Sequence, residues 1–130
     1  MRVFLTGGTG LLGSHLAHEL RSHGHEVVAL HRPSADTLFL QETECELVEG
    51  DIRDDAEDLS PLMKGCSHVV HGAALVYAGG QWPRVRAVNV DGTRNVLTAA
   101  RLAGGTVAGH RHPLPAARGP AERLAPGARG

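Results

Sequence analysis

At 130 residues the chain has room for one domain, which at that size buries roughly two thirds of the surface its unfolded form exposes. Its apolar fraction of 42% and net charge of -1 are ordinary for a globular protein. They exclude the lopsided charge that nucleic acid or an anionic membrane surface would select.

The first apolar run, Val3-Phe4-Leu5, is too short for the apolar region of a signal peptide. The longest, Ala73 to Ala78, is far below the roughly 18 residues that a bilayer span needs. A cytoplasmic protein with no membrane and no nucleic-acid partner is expected. Cys45 and Cys66 match no metal or redox spacing, which fits reduced, half-buried thiols.

In chain order, Arg2 to Thr6 reads as a strand, Leu11 to Arg21 as a helix and Glu26 to Leu30 as a second strand, with glycine-containing turns between them. Leu12, Leu16 and Leu20 recur every four residues and predict the buried stripe of that helix, with Gly24 as its stop. A third strand fits Glu46 to Glu49, a helix Ala56 to Met63, and a fourth strand His68 to His71. Strands alternating with helices imply a parallel sheet. From Trp82 to Ala103 runs the longest helical pattern, with Val85, Val88, Gly92, Val96, Ala99 and Ala103 on one side. Gly92 there costs about 1 kcal/mol against alanine, which close packing would explain.

After Ala103 the text changes. The 27 residues from Gly104 to Gly130 hold six Gly, six Ala, four Pro and four Arg, with Glu122 the only acid, and no useful strand or helix is predicted beyond Thr106-Val107. Residues 104–130 are expected to be a disordered tail. Twelve arginines against one lysine fit a GC-rich gene, and a frameshift or truncation near Gly104 would account for the break in pattern.

Between the first strand and the first helix lies Thr6-Gly7-Gly8-Thr9-Gly10-Leu11-Leu12-Gly13, with glycines at 7, 10 and 13. Gly7 permits a tight turn, Gly10 removes a side chain where a diphosphate must approach the backbone, and Gly13 lets helix and strand pack closely. The N–H groups of the helix start, at Leu11, Leu12 and Gly13, and the helix dipole then face the phosphates. A glycine turn with no ligand is the competing reading.

The stretch T-G-G-T-G-L-L-G-S-H-L closely resembles the fingerprint of the extended short-chain dehydrogenases, which include sugar-nucleotide epimerases, dehydratases, dihydroflavonol reductases and 3β-hydroxysteroid dehydrogenases. Gly50-Asp51-Ile52-Arg53-Asp54, His71-Gly72-Ala73-Ala74 and Asn89-Val90-Asp91-Gly92-Thr93-Arg94-Asn95-Val96 follow in the order that family has, so the resemblance covers residues 1 to about 103. It implies an α/β, Rossmann-like doubly wound parallel sheet, incomplete at about four strands, with residues 1–103 forming an NAD(P)-binding half-domain.

The resemblance also implies roles. Asp51 would accept from the adenine amino group and Ile52 pack on the ring, although an acid here could instead cap the following helix, as Asp54 or Asp55 could. Ala73 and Ala74 would let backbone touch ribose and phosphates. His71 reads equally as a packed or solvated histidine. Asn89 would order the central helix near the site without catalysing. The second strand ends Leu30-His31-Arg32-Pro33 with no acid before Asp36, so Arg32 is the candidate for the extra phosphate of NADP, against a solvated arginine as the alternative. The cofactor is NADP or NAD, with NADP preferred.

Members of that family use a tyrosine and a lysine four residues later. Here Tyr77 is followed at that spacing by Gln81, and Lys64 is preceded by Ser60, so the pair is absent and Tyr77 reads as a loop residue. The chain is expected to bind a dinucleotide without activity alone. The alternatives are a non-catalytic dinucleotide module or sensor, and a non-functional gene fragment. Without a fifth strand, one side of the fourth would be an exposed edge, through which self-association is expected. The histidine pairs 15/18, 23/25 and 110/112 lack thiol or acidic partners and read as solvated side chains.

Overall fold

The computed structural model describes residues 1–75 and 82–109. Five strands, β1 (Arg2–Thr6), β2 (Glu26–His31), β3 (Glu46–Glu49), β4 (His68–His71) and β5 (Thr106–Gly109), form one sheet in the order β3-β2-β1-β4-β5. Every pairing is parallel. The chain winds outward from β1 to β3, then returns to place β4 on the other side of β1. Such a reversal leaves a crevice at the carboxyl ends of the strands.

Two apolar layers flank the sheet because alternate strand residues point to opposite faces. Phe4, Val28, Leu30 and Val69 pack on one side with Leu59 of α3 (Ala56–Leu59), with Met63 of the 3-10 turn Ser60–Met63, and with Val96, Ala99 and Ala100 of a long helix. Leu5, Val27 and Ala29 pack on the other with Ala17 of α1 (Leu11–Ser22) and Leu40 of α2 (Leu38–Glu42).

The long helical pattern forms as α4 (Trp82–Arg86), a π-helical turn (Ala87–Gly92) and α5 (Thr93–Ala103), with Val85, Gly92, Val96 and Ala99 buried as the periodicity predicts. A Cβ on Gly92 would lie 2.6 Å from Ile52 Cδ1, so the side chain that Gly92 admits is Ile52.

The Rossmann-like parallel architecture agrees with the sequence reading, and β1 to β4 fall where it placed them. Three details differ. The buried face of α1 is Gly13 and Ala17 rather than the leucine stripe, and Leu12 is 47% exposed. Helix and strand approach so closely here that a Cβ on Gly13 would sit 1.9 Å from the Gly7 carbonyl oxygen, and only the smallest residues fit. The one-turn helix α2 is too short to show a period.

The third difference is β5, which pairs with β4 in the register His68 to Thr106 through His71 to Gly109. A parallel strand needs only backbone N–H and C=O groups, and the four residues Thr106–Gly109 contain no proline. The edge expected at β4 is therefore covered. Residues 110–130, and with them the rest of the expected tail and the 110/112 histidine pair, lie outside the described residues, as does Tyr77.

Among the described residues no helix is long and apolar enough to cross a membrane, and no three His, Cys, Asp or Glu side chains gather as metal ligands. Cys66 is buried, Cys45 is half-buried and neither is paired. Burial pushes the Cys66 thiol up, which keeps it protonated and unreactive.

Candidate dinucleotide cleft

At the carboxyl ends of β1, β2 and β4 lies an open cleft of about 210 Å³. The turn after β1 contributes Gly7, Thr9 and Gly10; the end of β2 contributes Leu30, His31 and Arg32; the segment after β3 contributes Gly50 to Arg53; the segment after β4 contributes Gly72 to Leu75. Val88 of the π-helical turn closes one side. Segments distant in sequence meet here because the strands are parallel.

The glycines of the first turn divide by what confines them. Gly7 has φ +77°, and a Cβ there would fall 2.5 Å from the Gly72 carbonyl carbon. Gly7 and Gly13 are thus demanded by the fold itself. Gly10, at φ -81° and ψ 171°, has a backbone conformation any residue adopts, and a Cβ there meets only the Gly7 oxygen at 3.4 Å. Gly10 lines the cleft and also the hollow beside it.

No side chain caps α1, so the first-turn amides of Leu11, Leu12 and Gly13 have no acceptor within the helix. Leu11 is 81% exposed and lines, with Asp36 and Phe39, an adjoining hollow that shares Thr9 and Gly10 with the cleft.

Asp51 is bound to its near neighbour Arg53. The Arg53 backbone N–H donates to Oδ1 at 2.9 Å, Nε lies 3.1 Å from both oxygens, and Nη2 donates to Oδ2 at 2.7 Å. These guanidinium bonds hold the Asp51 carboxyl below the usual carboxylate range, with the charge of Arg32 acting the same way and partial burial opposing it. The helix-capping alternative does not apply to Asp51, and Asp55, the residue before α3, makes no side-chain cap either. Ile52 lines the cleft but is only 6% exposed, and its terminal carbons are turned to Gly92 and the core. Ala73 is half-buried and Ala74 exposed, both on the cleft wall. Arg32 is exposed at the mouth and makes no ion pair among the described residues.

The sequence reading left His71 open and passed over Thr6, Thr93 and Arg53. His71 is 8% exposed, with Nδ1 2.7 Å from Thr6 Oγ1 and Nε2 3.0 Å from Thr93 Oγ1. The same Thr6 hydroxyl accepts from the Gly72 and Ala73 amides at 3.1 and 3.2 Å. Asn89 braces the wall as the resemblance implies: Oδ1 accepts from Leu75 N at 2.7 Å and Nδ2 donates to Leu75 O at 2.8 Å. A threonine at the end of a strand reads as ordinary β propensity, so only the hydroxyl's position beside the glycine turn could have marked Thr6.

Residues 3–110 match the NAD dependent epimerase/dehydratase family, a span that includes every segment of the cleft. The chain belongs to that family. Among curated members, a ketoreductase of Stigmatella aurantiaca that acts on a 4-hydroxy-2-methyl-3-oxo-4-farnesyl-3,4-dihydroquinoline-1-oxide is 37% identical over 101 residues, covering 78% of this chain and 30% of that protein.

Among solved structures, a UDP-glucose-4-epimerase of Stenotrophomonas maltophila with bound NAD is 30% identical with a TM-score of 0.73, over 84% of this chain and 36% of that one. The Bordetella bronchiseptica enzyme WbmG in complex with NAD is 32% identical with a TM-score of 0.73, over the same shares. The chain spans at most about three tenths of the length of the curated epimerase/dehydratase relatives it matches.

Proposed function

We propose that this chain binds a nicotinamide dinucleotide, with the diphosphate over the first turn of α1 and the adenosine toward Asp51. The observation that carries this reading is Gly10, whose missing side chain serves neither backbone conformation nor packing and opens onto the cleft. Uncapped amides at Leu11, Leu12 and Gly13 supply donors and the positive end of the helix dipole. Two relatives of similar fold hold NAD in their structures, which supports the same ligand class here.

Asp51, ionised, is suited to accept from an adenine amino group. Arg53 Nε spans both Asp51 oxygens, so one of its contacts can be given up without losing the pair. Arg32 and Arg53 place two guanidinium groups at the cleft, while β2 offers no carboxylate at its carboxyl end. That favours the 2′-phosphate of NADP over the free ribose hydroxyls of NAD.

The tyrosine–lysine pair that the family uses for proton and hydride chemistry is absent from residues 1–130, so binding without turnover is expected of this chain. Lys64 gives no substitute, because it follows the 3-10 turn at the amino ends of the strands, away from the cleft.

Calorimetric titration with NADP, NAD and nicotinamide mononucleotide tests the reading. Heat with the dinucleotides and none with the mononucleotide is expected, and no heat with either dinucleotide on folded protein would overturn it. Gly10→Ala sharpens the test: it is expected to leave thermal stability unchanged or raised by about 0.4–1 kcal/mol, while weakening dinucleotide binding at least about tenfold, a loss of about 1.4 kcal/mol.

A further inference from the structure

We infer that His71 is a positioning residue that must stay uncharged, with its proton on Nε2, for the amide wall of the cleft to hold its shape. The inference rests on the dinucleotide reading above but comes from the direction of a buried chain of hydrogen bonds. Thr6 Oγ1 has one proton and two lone pairs. The Ala73 amide donates to it, and the Gly72 amide is shared between it and the Thr6 carbonyl oxygen at 3.1 Å each, so the hydroxyl accepts on that side and its proton faces His71 Nδ1.

At the other end, Thr93 Oγ1 donates to the Asn89 carbonyl oxygen at 2.7 Å, because a carbonyl can only accept. The Thr93 oxygen can then take only a proton from His71 Nε2. The sequence of donors is Gly72 and Ala73 N–H to Thr6, Thr6 O–H to His71, His71 N–H to Thr93, and Thr93 O–H to Asn89. It has one consistent direction, set at the far end by Thr93, and its one shared donor is the Gly72 amide, which also reaches the Thr6 carbonyl oxygen.

A second proton on the ring would point Nδ1–H at a hydroxyl that already donates toward it. Thr6 could accept that proton only by turning its own hydrogen away toward the amides it now accepts from, which leaves Gly72 on the Thr6 carbonyl oxygen and displaces Ala73, a residue of the cleft wall. Among the described residues no charged group on the elements around His71 offsets this cost. On β1 the only charge is Arg2 at the opposite end; on β4 the other titratable group is His68, three residues away at the far end of the strand; β5 has none. On the π-helical turn and α5, Asp91, Arg94 and Arg101 are exposed. Burial alone acts on the His71 ionisation, and it lowers the pKa.

Long-range ¹H–¹⁵N spectra of the ¹⁵N-histidine-labelled chain at pH 7.5 test the proton assignment. One histidine with a protonated Nε2 and bare Nδ1, lost in His71→Asn, is expected; a protonated Nδ1 at His71 would overturn the inference. NAD affinity measured from pH 7.5 to 5 tests the consequence. Below the His71 pKa the wild type is expected to lose about tenfold per pH unit, while His71→Asn, which keeps an acceptor for Thr6, stays flat.

Equal pH slopes in both proteins would overturn the inference. If His71→Asn does not fold, Thr6→Val and Thr6→Ser replace it: Val is expected to move the His71 titration upward and Ser to leave it in place, and an unmoved titration in Val would sink the idea. Failure of both NADP and NAD to bind at any pH defeats the dinucleotide reading alone, because the proton assignment and the Thr6 titrations are read without ligand.

Discussion

The two ends of the sheet are held together by opposite means. At the amino ends, the Arg2 guanidinium reaches across β1, β2 and β3, donating to Glu26 at 3.0 Å and Glu46 at 2.6 Å, with both carboxylates more than half exposed. At the carboxyl ends, the ties are glycine contacts and the Thr6–His71–Thr93 hydrogen-bond chain, with Thr6 and His71 buried and Thr93 half-buried. Water can replace most of what Arg2 provides, since exposed ion pairs contribute little. It cannot replace a hydrogen bond inside a filled wall, where a lost partner leaves a buried group unsatisfied. The end that forms the cleft is therefore the end that tolerates least change.

Breaking the carboxyl end at its tightest contact should have the largest effect. Gly13→Ala places a Cβ 1.9 Å from the Gly7 oxygen, with backbone on both sides. A loss of about 3 kcal/mol or more is expected in chemical denaturation, and a stability within 1 kcal/mol of wild type would show that α1 can shift away from β1 freely. Next comes Thr6→Val, which keeps shape but strips the hydroxyl from three partners. It is expected to cost about 1–3 kcal/mol, whereas Thr6→Ser should recover much of it.

The pH dependence of stability follows from His71. Its folded pKa lies below the ordinary histidine value, so the unfolded chain takes up the proton first. Stability is whole above about pH 6.5 and falls as pH drops from there toward the folded pKa. Thermal melts of wild type and His71→Asn over this window should diverge, and parallel curves would remove His71 as the cause. The smallest effect belongs to the amino end. Arg2→Ala is expected to cost no more than about 1 kcal/mol and to matter less at 1 M salt. A loss as large as that of Gly13→Ala would erase the contrast between the two ends.

Much of the cleft was legible because its demands are local. The Gly7, Gly10 and Gly13 spacing falls between a strand and a helix, and Gly7, Gly10, Asp51, Ala73 and Ala74 meet at one cleft. What was misjudged depended on partners far away in the chain. The leucines of α1 looked like its buried face, but the turn after β1 comes so close that the fully buried positions are Gly13 and Ala17, with Leu20 packing at the margin of the core. Thr106–Gly109 looked too poor in apolar residues for a strand, but the open side of β4 supplies backbone partners that composition does not report.

The amino-acid sequence by itself determined the plan: parallel strands separated by helices, with a glycine turn where the first helix starts. Hydrophobic period and backbone freedom are properties of neighbouring residues, and they can be read in order. Only the tertiary structure decided which glycines serve the fold and which opens a cleft. It also decided that a histidine would lie 2.7 Å from a threonine 65 residues away in the chain. Those outcomes follow from atoms brought within 3 Å by the sheet, and no stretch of sequence contains both of them.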